Sequence, residues 1–263
     1  MNRLKQAFSN GKAFVAFLTC GDPDLETTER LIESIANAGA DVIELGIPFS
    51  DPTAEGPVIQ AANLRALKNG VTTDLVFEMV RRVRKKVTVP LVFMTYANVV
   101  FSYGTERFLK TAAEIGMDGL ILPDVPFEEK EEFEPVCKQY GIDFVSLVSP
   151  TSHSRVKQIA QQAQGFLYCV SSLGVTGVRS EFSTEVQEIA ALVREVTDTP
   201  VAVGFGISTP EQAKQMAEIS DGVIVGSAIV KIIGIYGGDS VPHVEEYVRE
   251  MKKAICRVNA VVH

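Results

Sequence analysis

The sequence predicts an α/β fold: a (β/α)8 barrel of the TIM type, with an N-terminal helix capping its bottom. Three observations predict it. One unit repeats along the 263 residues, namely a short β-branched run, a loop rich in Gly, Asp, Pro and Ser, then an amphipathic helix. The strand runs are almost wholly apolar, as strands covered on both faces are. The units number eight, which is the count that closes a parallel sheet on itself in about 250 residues.

The elements follow in order. Residues Met1–Ser9 read as a short helix that would plug the bottom of the barrel. Strands are expected at Phe14–Thr19, Val42–Gly46, Leu91–Thr95, Gly119–Leu122, Phe144–Leu147, Phe166–Val170, Val201–Gly204 and Val223–Val225. Helix Thr72–Lys86 carries the stripe Leu75, Val76, Met79, Val80 and Val83, with Thr72 or Thr73 as cap and Asp74 in the first turn. Helix Thr184–Val196 carries Val186, Ile189, Ala190, Val193 and Val196. Thr209-Pro210-Glu211 is a cap followed by Pro at the first helical position. Three Gly-containing junctions, Ala38–Asp41, Ile115–Asp118 and Tyr140–Asp143, each read as helix stop and strand start.

The competing architecture is an open doubly wound sheet, which usually carries a Gly-rich dinucleotide turn after its first strand. Here that strand runs into Thr19-Cys20-Gly21-Asp22-Pro23, which is no GxGxxG. No linker or low-complexity segment interrupts the chain, so one domain, 1–263, is expected.

Composition narrows the function. Net charge is −8, and the densest basic patch, Arg81–Lys86, alternates with Val80, Val83 and Val87 at helical spacing. It reads as a solvated helix face, and nucleic acid is not an expected partner. Cys20, Cys137, Cys169 and Cys256 are widely separated and read as reduced thiols of a cytoplasmic protein. His153, His243 and His263 lie near no Cys or carboxylate pair at ligand spacing, so no metal is expected. Lys12 and Ala13–Cys20 loosely mimic a signal sequence, but a strand explains the run. No apolar stretch is long enough to span a membrane.

The chemistry should lie at the C-terminal ends of the strands. Pleating puts Val42, Glu44 and Gly46 on one face of the second strand and Ile43, Leu45 and Ile47 on the other. The apolar set must face the helices, so Glu44 points into the barrel. No predicted strand contains Arg or Lys to pair with it. An unpaired carboxylate there should have a raised pKa, as a general acid/base needs. Glu55 lies on the following loop, which Pro48, Pro52 and Pro57 stiffen. After the seventh strand comes Gly204-Phe205-Gly206-Ile207-Ser208, and after the eighth Gly226-Ser227-Ala228. Those two loops, with a helix starting at Gly226, would form a phosphate cradle. The loop Ser171–Gly177 is long and Gly-spaced, a candidate lid, and Tyr168 before it offers an aromatic wall or a hydroxyl.

Six segments, FLTCGDP from Phe17, ELGIPFSDPTAEGPVIQ from Glu44, LPDVP from Leu122, LGVTG from Leu173, GFGIS from Gly204 and GSAIV from Gly226, resemble the tryptophan synthase α-subunit family. They stand in that family's order nearly end to end. The resemblance implies cofactor-free retro-aldol cleavage of indole-3-glycerol phosphate to indole and glyceraldehyde 3-phosphate. It implies Glu44 as the proton-transfer residue and Glu55 as the carboxylate that stabilises charge on the indole N–H. It carries phosphate contacts to Gly177, Gly206, Gly226 and Ser227, and an indole and glycerol pocket to Phe17, Tyr168 and Phe205. Thr176 would close with the lid onto the second carboxylate. It also implies a β-subunit partner in an α2β2 complex, with Asp51 and Pro52 facing that partner.

The chain departs from the family pattern at Glu55, where Asp is expected, and at Thr53 and Ser172. Glu carries its carboxylate about 1.5 Å further out than Asp. Two other readings stay open at this point: a weakly catalytic subunit that mainly activates a β-subunit, and a different phosphate-binding barrel such as a sugar-phosphate isomerase or epimerase.

Overall fold

The computed structural model describes residues 3–149, 154–170, 179–204, 206–256 and 258. Nine strand segments form one parallel sheet: β1 (Ala13–Thr19), β2 (Val42–Gly46), β3 (Leu91–Met94), β4 (Gly119–Ile121), β5 (Asp143–Phe144), β6 (Leu147–Val148), β7 (Leu167–Val170), β8 (Val201–Gly204) and β9 (Gly222–Val225). Their order is β5-β4-β3-β2-β1-β9-β8-β7-β6. Because β5 and β6 are successive pieces of one stretch of chain, the two ends of that order meet, and the sheet is an eight-stave barrel.

The expected fifth strand, Phe144–Leu147, is therefore corrected to two short segments. The cause is a change of partner in mid-stave. Val145 N–H still donates to Leu120 O of β4 at 3.0 Å, while Ser146 O accepts from Tyr168 N of β7 at 3.0 Å. The other staves match expectation to within a residue at each end.

Alternation along the staves sorts the side chains. Phe14, Ala16, Leu18, Ile43, Leu45, Leu91 and Phe93 join the core shared with the outer helices. Val15, Val42, Val92, Ile121, Val145, Phe166, Ala202 and Ile224 fill the barrel interior. Leu4, on the N-terminal helix Arg3–Ala7, is fully buried among that inner set, so the helix does plug the bottom. Glycines make its seat: a Cβ at Gly119 or Gly165 would meet Leu4 Cδ1 at 3.0 or 3.1 Å, and one at Gly222 would meet Phe8 Cε1 at 2.8 Å.

The helix signals hold with three corrections. Thr72 caps helix Thr73–Val83, accepting from Leu75 N at 3.3 Å. On that helix Leu75 is 39% exposed, while Phe77, omitted from the expected stripe, is 3% exposed. Both flank the stripe. Phe77 is the buried flank because the rings of Phe93, Tyr103 and Phe108 lie against it. The basic patch is not uniformly solvated either. Arg84 turns inward, with Nη2 2.6 Å from Asp118 Oδ2 and Nε donating to Gly116 O at 2.9 Å. The helix expected at Thr184–Val196 spans Arg179–Arg194, since no Gly or Pro stops it from starting earlier. Thr209 makes a full capping box with Gln212.

Aspartates just before strands gain a role. Asp41 Oδ2 accepts Phe14 N–H at 2.6 Å, Asp118 Oδ2 accepts Leu91 N–H at 2.9 Å, and Asp221 Oδ2 accepts Val201 N–H at 2.9 Å. Each of these carboxylates thus satisfies an N–H at the start of the neighbouring strand.

Candidate active site

Glu44 occupies the upper interior of the barrel, as its pleat requires. It pairs across the sheet with Phe17 of β1 and Val92 of β3. It is 1% exposed, and neither carboxylate oxygen has a hydrogen-bond partner among the described residues. Burial, then the negative charge of Glu55, push its pKa up to about 8. The Tyr168 hydroxyl, on the inner face of β7, is also raised, by burial and then by the field of Glu44.

Glu55 is half-buried on the loop before helix Pro57–Lys68. Its Oε2 accepts from Asn63 Nδ2 of that helix. Burial raises its pKa, against the Asn63 amide and then the nearby Tyr96 hydroxyl, which lower it. Its backbone carbonyl accepts from Gln60 Nε2 at 2.8 Å. Tyr96 sits just beyond β3 and accepts Ala54 N–H at 3.1 Å. Sequence reasoning missed both Tyr96 and Asn63. Tyr96 carried a signal, its place one residue past the expected end of a barrel strand. Asn63 is one polar residue in an amphipathic helix and carried none.

An apolar wall adjoins the carboxylates. Phe17, Ala62 and Val230 pack with Val58, Ile59 and Met94. Glycines again explain the fit. A Cβ at Gly46 would sit 2.7 Å from Phe17 Cζ, and one at Gly226 would sit 3.3 Å from Phe17 Cδ1. A Cβ at Gly204 would sit 2.5 Å from Tyr168 Cε2. Glycines on β2 and β8 and just past β9 therefore leave the room that these two aromatic rings occupy.

At the expected anion cradle, Gly206 takes φ +53°, open to a Gly and strained for other residues. Gly226 is the N-cap of helix Ser227–Tyr236 and makes no side-chain cap. The first-turn N–H groups of that helix point out from exposed Ser227, where its dipole is positive. Gly177, Thr176 and Phe205 lie outside the described residues, as does the whole candidate lid, Ser171–Gly177. Asp51 is exposed and accepts from the Ser50 hydroxyl, and Pro52 is half-buried beside it. Among the described residues no group of three His, Cys, Asp or Glu side chains could hold a metal ion. All four thiols are unpaired. No described helix is long and apolar enough to cross a membrane.

A family model for the tryptophan synthase alpha chain matches residues 2–256. The chain belongs to the tryptophan synthase alpha chain family. The alpha chain of Lacticaseibacillus casei is 46% identical over 255 residues, covering 97% of this chain and 96% of that one. The alpha chain of a Thermoanaerobacter species is 44% identical over 262 residues, covering 97% and 100%. The crystal structure of the alpha chain from Legionella pneumophila superposes with a TM-score of 0.88 at 38% identity, covering 99% and 100%. A chain in tryptophan synthase from M. tuberculosis gives 0.86 at 30% identity, covering 97% and 98%. Like its family, this chain is a carbon–carbon lyase. It cleaves indole-3-glycerol phosphate to indole and glyceraldehyde 3-phosphate in tryptophan biosynthesis.

Proposed function

We propose that Glu44 moves the protons of this cleavage and that Glu55 stabilises the charge it creates. One observation carries the reading: a carboxylate buried in the barrel mouth, without hydrogen bonds among the described residues and with a pKa near 8. Such a group enters the cycle protonated at neutral pH. Glu44 gives its proton to indole C3, which turns the ring into an indolenine cation and a leaving group. The bond between C3 and the glycerol carbon then breaks, and its electron pair restores the aromatic ring. The adjacent hydroxyl loses its proton to Glu44 as it becomes the aldehyde, so the acid is regenerated. While C3 is tetrahedral, positive charge lies on the ring N–H, and the Glu55 carboxylate accepts a hydrogen bond from it.

Phe17 and Tyr168, with Phe205, line the indole and glycerol pocket. Gly206, Gly226 and Ser227, with Gly177, hold the phosphate, supported by the helix that starts at Ser227. Thr176 closes with its loop onto Glu55. No cofactor enters the scheme. A single domain, 1–263, houses all of these groups. A β-subunit receives the indole in an α2β2 assembly, and Asp51 and Pro52 face it. The free thiols and the biosynthetic role support a cytoplasmic location.

The test is Glu44→Gln. Indole release should fall by roughly 10²–10⁴-fold or more, with and without β-subunit, while a glycerol phosphate analogue still binds. Retained cleavage would remove Glu44 from the mechanism.

A further inference from the structure

Glu55 stands on a loop, yet its carboxylate does not hang free. Three contacts hold it and its neighbours: Asn63 Nδ2 on the carboxylate, the Tyr96 hydroxyl on Ala54 N–H, and Gln60 Nε2 on the Glu55 carbonyl. Asn63 and Tyr96 are each 3% exposed, so their polar ends were desolvated on folding and act in a site shielded from water. The helix that carries Asn63 is itself anchored. Two residues on, Arg65 forms a two-point pair with buried Asp22 beyond β1, Nε to Oδ1 at 2.7 Å and Nη2 to Oδ2 at 2.8 Å. Asn69, just past the end of the same helix, donates to Pro23 O. The Asn63 amide is thus fixed relative to the barrel, and the loop carboxylate is fixed relative to the amide.

We propose that Asn63 is a positioning residue for the cleavage: it holds the Glu55 carboxylate, on a loop that Tyr96 pins through Ala54, at the place where the indole N–H presents itself. The inference rests on the role given to Glu55 above. It also accounts for a glutamate at this position. The reach that a longer side chain adds is taken up by a partner eight residues away on an anchored helix. The groups near Glu55 are Asn63 and Tyr96, which favour its ionisation against burial, and Glu44 from β2, whose own pKa the Glu55 charge raises. Asp124, beyond β4, acts on the Tyr96 hydroxyl but binds Ala97 N–H itself. Removing the Asn63 amide therefore tips the balance toward the protonated acid. A protonated Glu55 cannot stabilise the cationic ring.

Asn63→Leu keeps the side-chain volume and removes the donor. Its kcat should fall about tenfold, the size of one hydrogen bond to a charged group, with KM little changed. The acid limb of kcat should move to higher pH. Tyr96→Phe should act in the same direction and serves if the leucine variant does not fold. The deciding measurement is the pair of backgrounds. In Glu55→Gln, Asn63→Leu should cost nothing further, because the group it positions is gone. If Asn63→Leu costs the same factor in both backgrounds, or leaves the acid limb in place, the positioning role is overturned while Glu55 keeps its own. If Glu55→Gln itself cleaves at the parent rate, the role of Glu55 falls first and that of Asn63 falls with it.

Discussion

Glu44 is held in a state its own chemistry opposes. An ionised carboxylate wants hydrogen bonds or a cation, and among the described residues no group donates to either oxygen of this one. The consequence for stability has a definite sign. Its pKa rises from 4.5 in the unfolded chain to about 8 in the native one. Between those values the native state holds a proton that the unfolded chain has released, so folding loses stability as pH rises through about 8. One pKa unit is about 1.4 kcal/mol, so the loss is on the order of a few kcal/mol. Glu44→Gln carries no such burden. It should be more stable than the parent at pH 9, with a gap that narrows toward pH 5, as read by chemical denaturation at the two pH values. The same titration limits catalysis: indole release should decline above about pH 8 as the acid form of Glu44 disappears. The burial of Glu44 was legible in the sequence because strand alternation and the lack of basic residues in the strands are local facts. The partners of Glu55 were not, since Asn63 and Tyr96 meet only when the loop after one strand folds over the end of another.

At the level of elements, glycine on the inner face of a stave works as a socket for a ring. Gly46 and Gly226 flank Phe17, and Gly204 underlies Tyr168. Gly204→Ala would put a methyl 2.5 Å from Tyr168 Cε2 and 2.6 Å from its hydroxyl. The ring would have to move toward Glu44 or the backbone would have to yield. A stability loss of about 1–3 kcal/mol is expected for such overpacking, together with a raised KM for indole-3-glycerol phosphate. Calorimetry and steady-state kinetics on the one variant check both. Gly204 and Gly226 drew notice in the sequence as parts of anion-binding turns. Their second function depends on which cross-strand neighbour is aromatic, and register settles that. Helix Thr73–Val83 teaches the same point: its stripe was clear from spacing, but the choice between Leu75 and Phe77 as the buried flank belongs to the rings of Phe93, Tyr103 and Phe108.

Over the whole molecule, the bottom of the barrel supplies rigidity and the top supplies chemistry. Asp118 is the principal tie at the bottom. It binds Arg3 of the plug helix at 2.7 Å, Arg84 beyond helix Thr73–Val83 at 2.6 Å and Leu91 N–H of β3 at 2.9 Å. Asp118→Ala would strand a largely buried guanidinium and open a strand end. It should cost about 3–5 kcal/mol, seen as a lower Tm, while kcat of the folded fraction stays near the parent value. At the top, the Asp22–Arg65 pair ties the first loop to the helix behind Glu55 and so links two active-site loops into one body.

The sequence by itself determined the repeat, the number of staves, the plug helix, the face of Glu44 and the family. Each follows from periodicity or from motifs that are contiguous in the chain. Tertiary structure alone decided the rest. It split the fifth stave where the chain changes partner, turned Arg84 inward to Asp118, and gave Glu55 its hold on Asn63 and Tyr96. The physical reason is common to all three. Hydrogen bonds and ion pairs between distant segments are satisfied by whatever polar group the closed barrel brings near, and no local pattern encodes that neighbour.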